Sequence, residues 1–403
     1  MLKDIIVAYD NCCAAGIKTA LVTVVHVVGS SYRGPGARML IDARGNLTDA
    51  ISGGCLEGDA LRKALNAISQ NKNRLVTYDT NNEDDAAFGV QLGCAGIIQV
   101  LFEPIDVVDG NNPMELLRKI ISERKEVVLM TFFNAENKNA IQLGTRILVK
   151  GKEQKTKDNK QEAKGTEQKE KDNEQYFPFD SSLLHDYAID VLLKKKSFFK
   201  TLELENIHVI VFFEFIPPPI ALNIVGAGND AIPLVQMAEI LGWDVQIIDG
   251  RSTHAKAERF ASTCAINVVG FQNLHHLNLH IDDQTAFVLM THNYNYDLAM
   301  LRLLLTKKVI YIGVLGPKKK LDLILETLKS EGIELTSAQR KSIYSPVGLD
   351  IGAETPEDIA LSIVSEIKAV FSKNKSGFLK NKNKPIHERA ISNEISTFSP
   401  SCD

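Results

Sequence analysis

The apolar positions of this chain change their period along its length, and each change marks an element. In "LKDIIVAYDNCCAAG", from Leu2, they fall at helical spacing. "TALVTVVHVVG" is near-continuously apolar and β-branched, the signature of a buried strand. "SSYRGPG" is a turn, "ARMLIDARG" a second strand closing at Gly45, and "NLTDAIS" a third, short extended piece. "CLEGDALRKALNAISQN" returns to the helical period, with Leu56, Ala60, Leu61, Ala64, Leu65 and Ile68 on one face. "RLVTYDT" and "GIIQVLFEP" read as further strands, so a mixed α/β domain fills the first quarter of the chain.

From Pro113 to Phe215 the pattern weakens. "MELLRKIISE" and "SSLLHDYAIDVLLKKK" read as helices, "EVVLMTFF" and "RILVK" as strands. The charged stretch at about residues 151–176 has almost no apolar side chains. It cannot bury enough surface to offset its ordering entropy, and is expected to be an exposed, mobile insertion. Pro217 to Pro219 form a stiff connector. Beyond it strand and helix alternate, from "ALNIVGAG" and "AIPLVQMAEILG" through a helix at "HAKAERFAS" to "PEDIALSIVSEIKAVFS". This βαβ succession predicts a Rossmann-like, doubly wound parallel sheet. The expected organisation is an N-terminal α/β domain over 1–215, a Rossmann-like domain over 216–372 and a polar tail over 373–403.

Composition narrows the function class. The 403 residues are 44% hydrophobic and 24% charged, ordinary for a globular protein, and the net charge of -4 gives no electrostatic case for nucleic acid or an acidic membrane. Glu214 and three prolines break "HVIVFFEFIPPPIALNIV", so no membrane span is expected, and Asp4 and Asp10 interrupt any signal-peptide core. Six cysteines with no C-x-x-C pair suggest a reducing compartment, with the cytoplasm as the expected location.

Candidate chemistry gathers at glycine-rich turns. "IVGAGNDA" matches G-x-G-x-x-A through Gly226, Gly228 and Ala231, follows a strand and opens a helix. Asn229 and Asp230 lie in the same turn, and Asp249 ends the next strand where an acid would hold a ribose hydroxyl. Arg251 is either a phosphate partner or a surface residue. His292 and Lys318 to Lys320 fall at later strand ends; each is read as a binding group or as an ordinary loop residue, although lysines at a helix start oppose its dipole and want a reason. "TPED" is explained by helix capping alone, but "GLDIGAE", with Gly348, Asp350, Gly352 and Glu354, is not.

Seven stretches in one order resemble the XdhC/CoxI family of accessory factors for molybdenum hydroxylases such as xanthine dehydrogenase. They are "TVVHVVGSSYRGPGARMLID", "ISGGCLEGD", "GVQLGCAGIIQVLFEP", "NIVGAGNDAIPLVQMAEILGWDVQIIDGR", "YIGVLGPKKK", "SPVGLDIGAETPEDIALSIVSEI" and "KPIHER". The resemblance implies an N-terminal XdhC/CoxI domain and a C-terminal Rossmann domain. It also implies binding of molybdenum cofactor (molybdopterin) as cargo, support of its sulfuration, and delivery to an apo molybdenum hydroxylase. A cysteine desulfurase and a second copy of the chain, as a homodimer, are further implied partners. The chain departs from the family at Tyr32, where proline is common, at "GCAG", and in the charged insertion.

Such a carrier needs N–H groups for a phosphate, polar groups for a pterin and a soft group near the metal. Cys55 and Cys94 lie in glycine-flanked turns and are candidate thiols; Cys55 sits at a predicted helix start, which favours a thiolate and makes it a candidate soft ligand to molybdenum. Both also fit plain core packing, as do Cys12 and Cys13. Gly53 and Gly54 permit close approach of backbone. Glu57 either accepts from pterin amino groups or fills the first helical turn. Arg33 and Arg38 either meet the phosphate or pair with Asp42 or Asp49. His26 reads as a buried, hydrogen-bonded strand residue. Two alternatives stand beside a cofactor-binding chaperone. One is an NAD(P)-dependent oxidoreductase built on the glycine turn. The other is an interaction module that docks a hydroxylase without holding cofactor.

Overall fold

The computed structural model describes residues 2–79, 96–137, 140–151, 179–204, 207–260 and 264–383. Cys94, Cys402, nearly all of the charged insertion and "KPIHER" lie outside them. The chain divides into two compact units, one ending at Pro217 and the other running from Pro218 to Asn383.

The first unit opens with helix α1 (Leu2–Ala14) and strands β1 (Thr19–Gly29), β2 (Arg38–Asp42) and β3 (Leu47–Asp49). Helix α2 (Glu57–Gln70), β4 (Arg74–Asp79) and β5 (Gly96–Pro104) follow. The five strands form one antiparallel sheet in the order β3-β2-β1-β5-β4. Strand side chains alternate faces, so Ala20, Val22 and Val24 of β1 meet Ala60, Ala64 and Ala67 of α2, while Leu21 joins Ile5 and Ile6 of α1 on the other side. Both faces of β1 are covered from Thr19 to Val25, which is why that part of its sequence is mostly apolar. Cys12 is buried as expected, but Cys13 is exposed, because the next step around α1 turns it away from the sheet.

The weakly patterned stretch resolves into helix α3 (Pro113–Ser122), β6 (Val127–Phe133), β7 (Gly144–Lys150), α4 (Ser181–Lys194), β8 (Phe198–Leu204) and β9 (Ile207–Ile216). The strands make a second, four-stranded antiparallel sheet, β7-β6-β9-β8. Two carboxylates, one half-buried and one buried, tie it to the first sheet. Glu214 of β9 takes a bidentate pair from Arg38 of β2, and Glu103 of β5 accepts the Thr145 N–H at 2.7 Å and its hydroxyl at 2.9 Å. Burial pushes the Glu103 carboxyl up.

The second unit carries β10 (Ala221–Val225), α5 (Ala231–Ile240), β11 (Asp244–Asp249), β12 (Ala265–Val268), β13 (Thr285–Leu289) and α6 (Tyr294–Leu305). It continues with β14 (Tyr311–Val314), α7 (Lys318–Ser330), α8 (Ser337–Ser342), β15 (Ile343–Tyr344) and α9 (Pro356–Phe371). All six strands are parallel in the order β12-β11-β10-β13-β14-β15. The chain reverses its direction of build between β10 and β13, and the crevice above that point is where open α/β sheets take ligands. One expectation fails: among the described residues of "HAKAERFAS" the helical part is a single 3-10 turn at Ala257–Arg259. Its Arg259 is spent on loop carbonyls. Among the described residues no helix is long and apolar enough to cross a membrane.

Candidate functional site

In the first unit the chain from Ile51 to Glu57 folds around two side chains. Ser52 donates to Glu57 Oε2 at 2.5 Å and accepts the N–H groups of Gly54 at 3.2 Å and Leu56 at 3.1 Å. Glu57 also accepts the Ser52 N–H at 2.8 Å and that of Leu56 at 3.2 Å. Burial raises the Glu57 carboxyl, but these hydrogen bonds outweigh it and hold the group below the usual carboxylate range. Glu57 is therefore the clasp of the turn, and its expected role toward a pterin is taken by the chain's own donors.

The N–H groups claimed by the clasp belong to alternate residues, 52, 54 and 56. Those of Gly53 and Cys55 have no acceptor among the described residues. Gly54 has φ +109°, and a Cβ there would meet nothing within 4 Å, so the turn leaves open backbone beside two unspent donors. Cys55 is half-buried one step before the N-cap of α2, and its thiol lies 3.4 Å from Ser52 Oγ. Arg33 pairs with Asp49 at 3.5 Å, one of the partners expected for it, and Asp49 also accepts the Ala50 N–H at 2.8 Å, just before the turn. Arg38 does not: it is 5% exposed and committed to Glu214, so neither a phosphate nor Asp42 or Asp49 is its partner. His26 is partly buried, with its ring centroid 5.1 Å from that of Phe199, and burial lowers its pKa.

The second unit's glycine turn has the expected shape. Gly226 has φ +123°, and a Cβ would sit 2.6 Å from the Met290 carbonyl, so only glycine fits. The N–H groups of Gly228, Asn229 and Asp230 have no acceptor among the described residues, as at any exposed helix start. Asp249 departs from its expected role. Its carboxylate accepts the Ala227 N–H at 2.7 Å and Arg251 through N–H, Nε and Nη2 at 2.8, 3.1 and 2.8 Å. Burial raises its carboxyl, yet the Arg251 and backbone bonds hold it below the usual range. A carboxylate so engaged is not free for a ribose hydroxyl, and the NAD(P) reading loses its anchor.

Sequence reasoning does not single out Arg259. It donates to the carbonyls of Ala227 and His254 at 2.7 and 2.6 Å and to Asn229 Oδ1 at 2.8 Å. No motif marks it, and it lies 30 residues from Asn229. Asp297 has no local signal either. It is fully buried, accepts from Thr291 Oγ1 at 2.7 Å and pairs with Lys320 at 2.6 Å. That pair supplies the reason for a lysine in the first turn of α7. His292 is exposed at φ +55°, its Nε2 3.6 Å from Asp230. "GLDIGAE" follows β15, three strand spacings or about 14 Å of sheet from β10, outside the glycine-turn cluster. Gly348 serves packing: its N–H meets Glu366 at 3.1 Å, and a Cβ would strike Ser362 Oγ. Asp350, Gly352 and Glu354 are exposed.

A clasped, donor-bearing turn in an antiparallel α/β unit, followed by a parallel sheet of Rossmann order, defines a two-unit α/β protein with a Rossmann domain. Residues 12–79 match the XdhC and CoxI family, and residues 222–367 match the XdhC Rossmann domain. The chain belongs to the XdhC/CoxI family. It is 27% identical to a Bacillus subtilis protein named as a probable xanthine dehydrogenase subunit, over 87% of this chain and 92% of that protein. It is 22% identical to the molybdenum cofactor insertion chaperone PaoD of Escherichia coli, over 88% of this chain and 84% of that one. A crystal structure described as a xanthine dehydrogenase from Bacillus halodurans superposes with a TM-score of 0.66 at 26% identity, covering 93% of this chain and 97% of that one.

Proposed function

We propose that this protein is a maturation factor for a molybdenum hydroxylase of the xanthine dehydrogenase type. It binds molybdopterin cofactor as cargo at the Ser52–Glu57 turn, holds it during sulfuration, and passes it to the apo-enzyme. The observation that carries this is the pair of unspent N–H groups at Gly53 and Cys55, on either side of the open backbone of Gly54. The donor set fits the cargo. A phosphate takes N–H donors, and a dithiolene-bound metal favours a thiol beside it. The relatives named for xanthine dehydrogenase and for cofactor insertion point the same way. On this reading the sulfur donor is a cysteine desulfurase and the working form is a cytoplasmic homodimer.

The test is retention. Purified protein mixed anaerobically with molybdopterin cofactor, released from a purified hydroxylase, is expected to carry it through gel filtration and to activate the apo-hydroxylase on mixing. Complete loss of cofactor on the column sinks the proposal.

A further inference from the structure

Tyr32 is 68% exposed, yet its ring is not loose in solvent. A Cβ built on Gly53 would lie 3.4, 3.4 and 3.5 Å from its Cδ2, Cγ and Cδ1 atoms. Near-equal distances to three ring atoms mean that the ring presents its face to Gly53 rather than its edge. One face is thus laid on backbone, and the exposure belongs to the rest of the ring. Beside it lie the unspent N–H of Gly53 and the open backbone of Gly54, and the next residue along the chain is Arg33, whose guanidinium Asp49 holds at 3.5 Å.

An aromatic face beside free donors and a cation is a seat for a flat, polar ring that carries an anionic group. Stacking takes the ring, the N–H groups and guanidinium take the anion, and neither requires Tyr32 to move. We propose that Tyr32 is the stacking platform for the pterin ring of the cargo. This deepens the reading that the turn holds molybdopterin cofactor and rests on it. The contact is to the ring face, so the phenol hydroxyl is dispensable and an aliphatic side chain of similar bulk is no substitute.

The experiment compares the full-length wild type with Tyr32→Phe, Tyr32→Leu and Tyr32→Ala. Each is titrated anaerobically with molybdopterin cofactor released from a purified hydroxylase, while circular dichroism is recorded in the cofactor's own absorption bands. Tyr32→Phe is expected to match the wild type in affinity and in the induced signal. Tyr32→Leu and Tyr32→Ala are expected to bind about tenfold more weakly, in line with the loss of one stacking contact, and to lose the induced signal. The leucine side chain of Tyr32→Leu would still cover Gly53, so a purely structural role for the ring would leave that variant unchanged. Wild-type affinity and signal in both Tyr32→Leu and Tyr32→Ala overturn the platform and leave the cargo reading standing. Absence of binding by the wild type overturns both.

Discussion

The two glycine-rich turns of this protein, one in each unit, use the same device and leave different surfaces. In both, a carboxylate with a depressed pKa is consumed by the chain: Glu57 by Ser52 and Leu56, Asp249 by Ala227 and Arg251. In both, backbone donors remain over. What differs is their company. The second unit's turn is flanked by two guanidiniums, of Arg251 and Arg259, already committed to a carboxylate, to carbonyls and to an amide. The first unit's turn stands beside an exposed ring, a half-buried thiol and a space that a methyl group would not fill. A glycine motif therefore fixes a backbone path. The side chains around it decide what the leftover donors can meet.

The sharpest way to separate the turns is to add a methyl group to each. Gly226→Ala combines a left-handed φ with a backbone contact at 2.6 Å, so the strand-to-helix junction must shift. A loss of about 3 kcal/mol is expected, typical of strain at a special backbone site. Trp243 is the chain's lone tryptophan and lies in the second unit, so its fluorescence in urea reads that loss directly. Gly54→Ala carries strain without a clash and is expected to cost about 1 kcal/mol. Its methyl would instead cover the open backbone and lower cofactor retention. Equal stability losses in the two variants would break the distinction.

Next in size is the clasp itself. A depressed carboxyl pKa stabilises the fold fully above its unfolded value, and that contribution is lost as pH falls through the folded value. Glu57→Gln is expected to cost about 1–2 kcal/mol at pH 7, because buried donors lose a charged acceptor. The gap to the wild type should close as the pH drops below about 4, the ordinary carboxylate range. Calorimetry of both proteins between about pH 7 and about pH 3 spans that range and reads the change. A constant gap across it would mean that Glu57 holds the turn by shape and not by charge.

The two units are also unequally legible in sequence. In the second, β10, β11, β13 and β14 are mostly buried and bounded by turn residues, so the βαβ alternation announces itself through strands such as "DVQIID" and "TAFVL". Its misses are short or marginal: β12 and β15 hold four and two residues. In the first unit β8 is hard to read because its apolar residues gain only against a distant partner. Phe198 and Phe199 stack on Phe213 and Phe212 of β9, at 4.9 and 4.8 Å. The pair Arg38–Glu214 spans 176 residues, whereas local spacing points to Asp42 and Asp49. The candidate site divides the same way. Gly54 and Gly226 are legible because φ above zero selects glycine locally, whereas Asp249 and Arg38 take partners 22 and 176 residues away.

The smallest expected effect on stability falls on Cys55. Like Leu61, Val76 and Tyr78, it packs against the edge of a core cluster, and its thiol donates weakly to Ser52. Ser52 Oγ already accepts two backbone N–H groups, so the thiol's bond is surplus to an oxygen with two lone pairs. Cys55→Ser should therefore change stability by only about 0.5 kcal/mol, within the range of a peripheral substitution. If the thiol is a soft contact for the cargo, the same variant loses cofactor retention or slows sulfuration, because a hydroxyl is a poor ligand for a soft metal centre. Unfolding midpoint and retention measured on one sample distinguish the outcomes. Stability unchanged with retention reduced assigns the thiol to the cargo. Stability reduced with retention intact returns Cys55 to the core and leaves the first unit's turn with its donors and its ring alone.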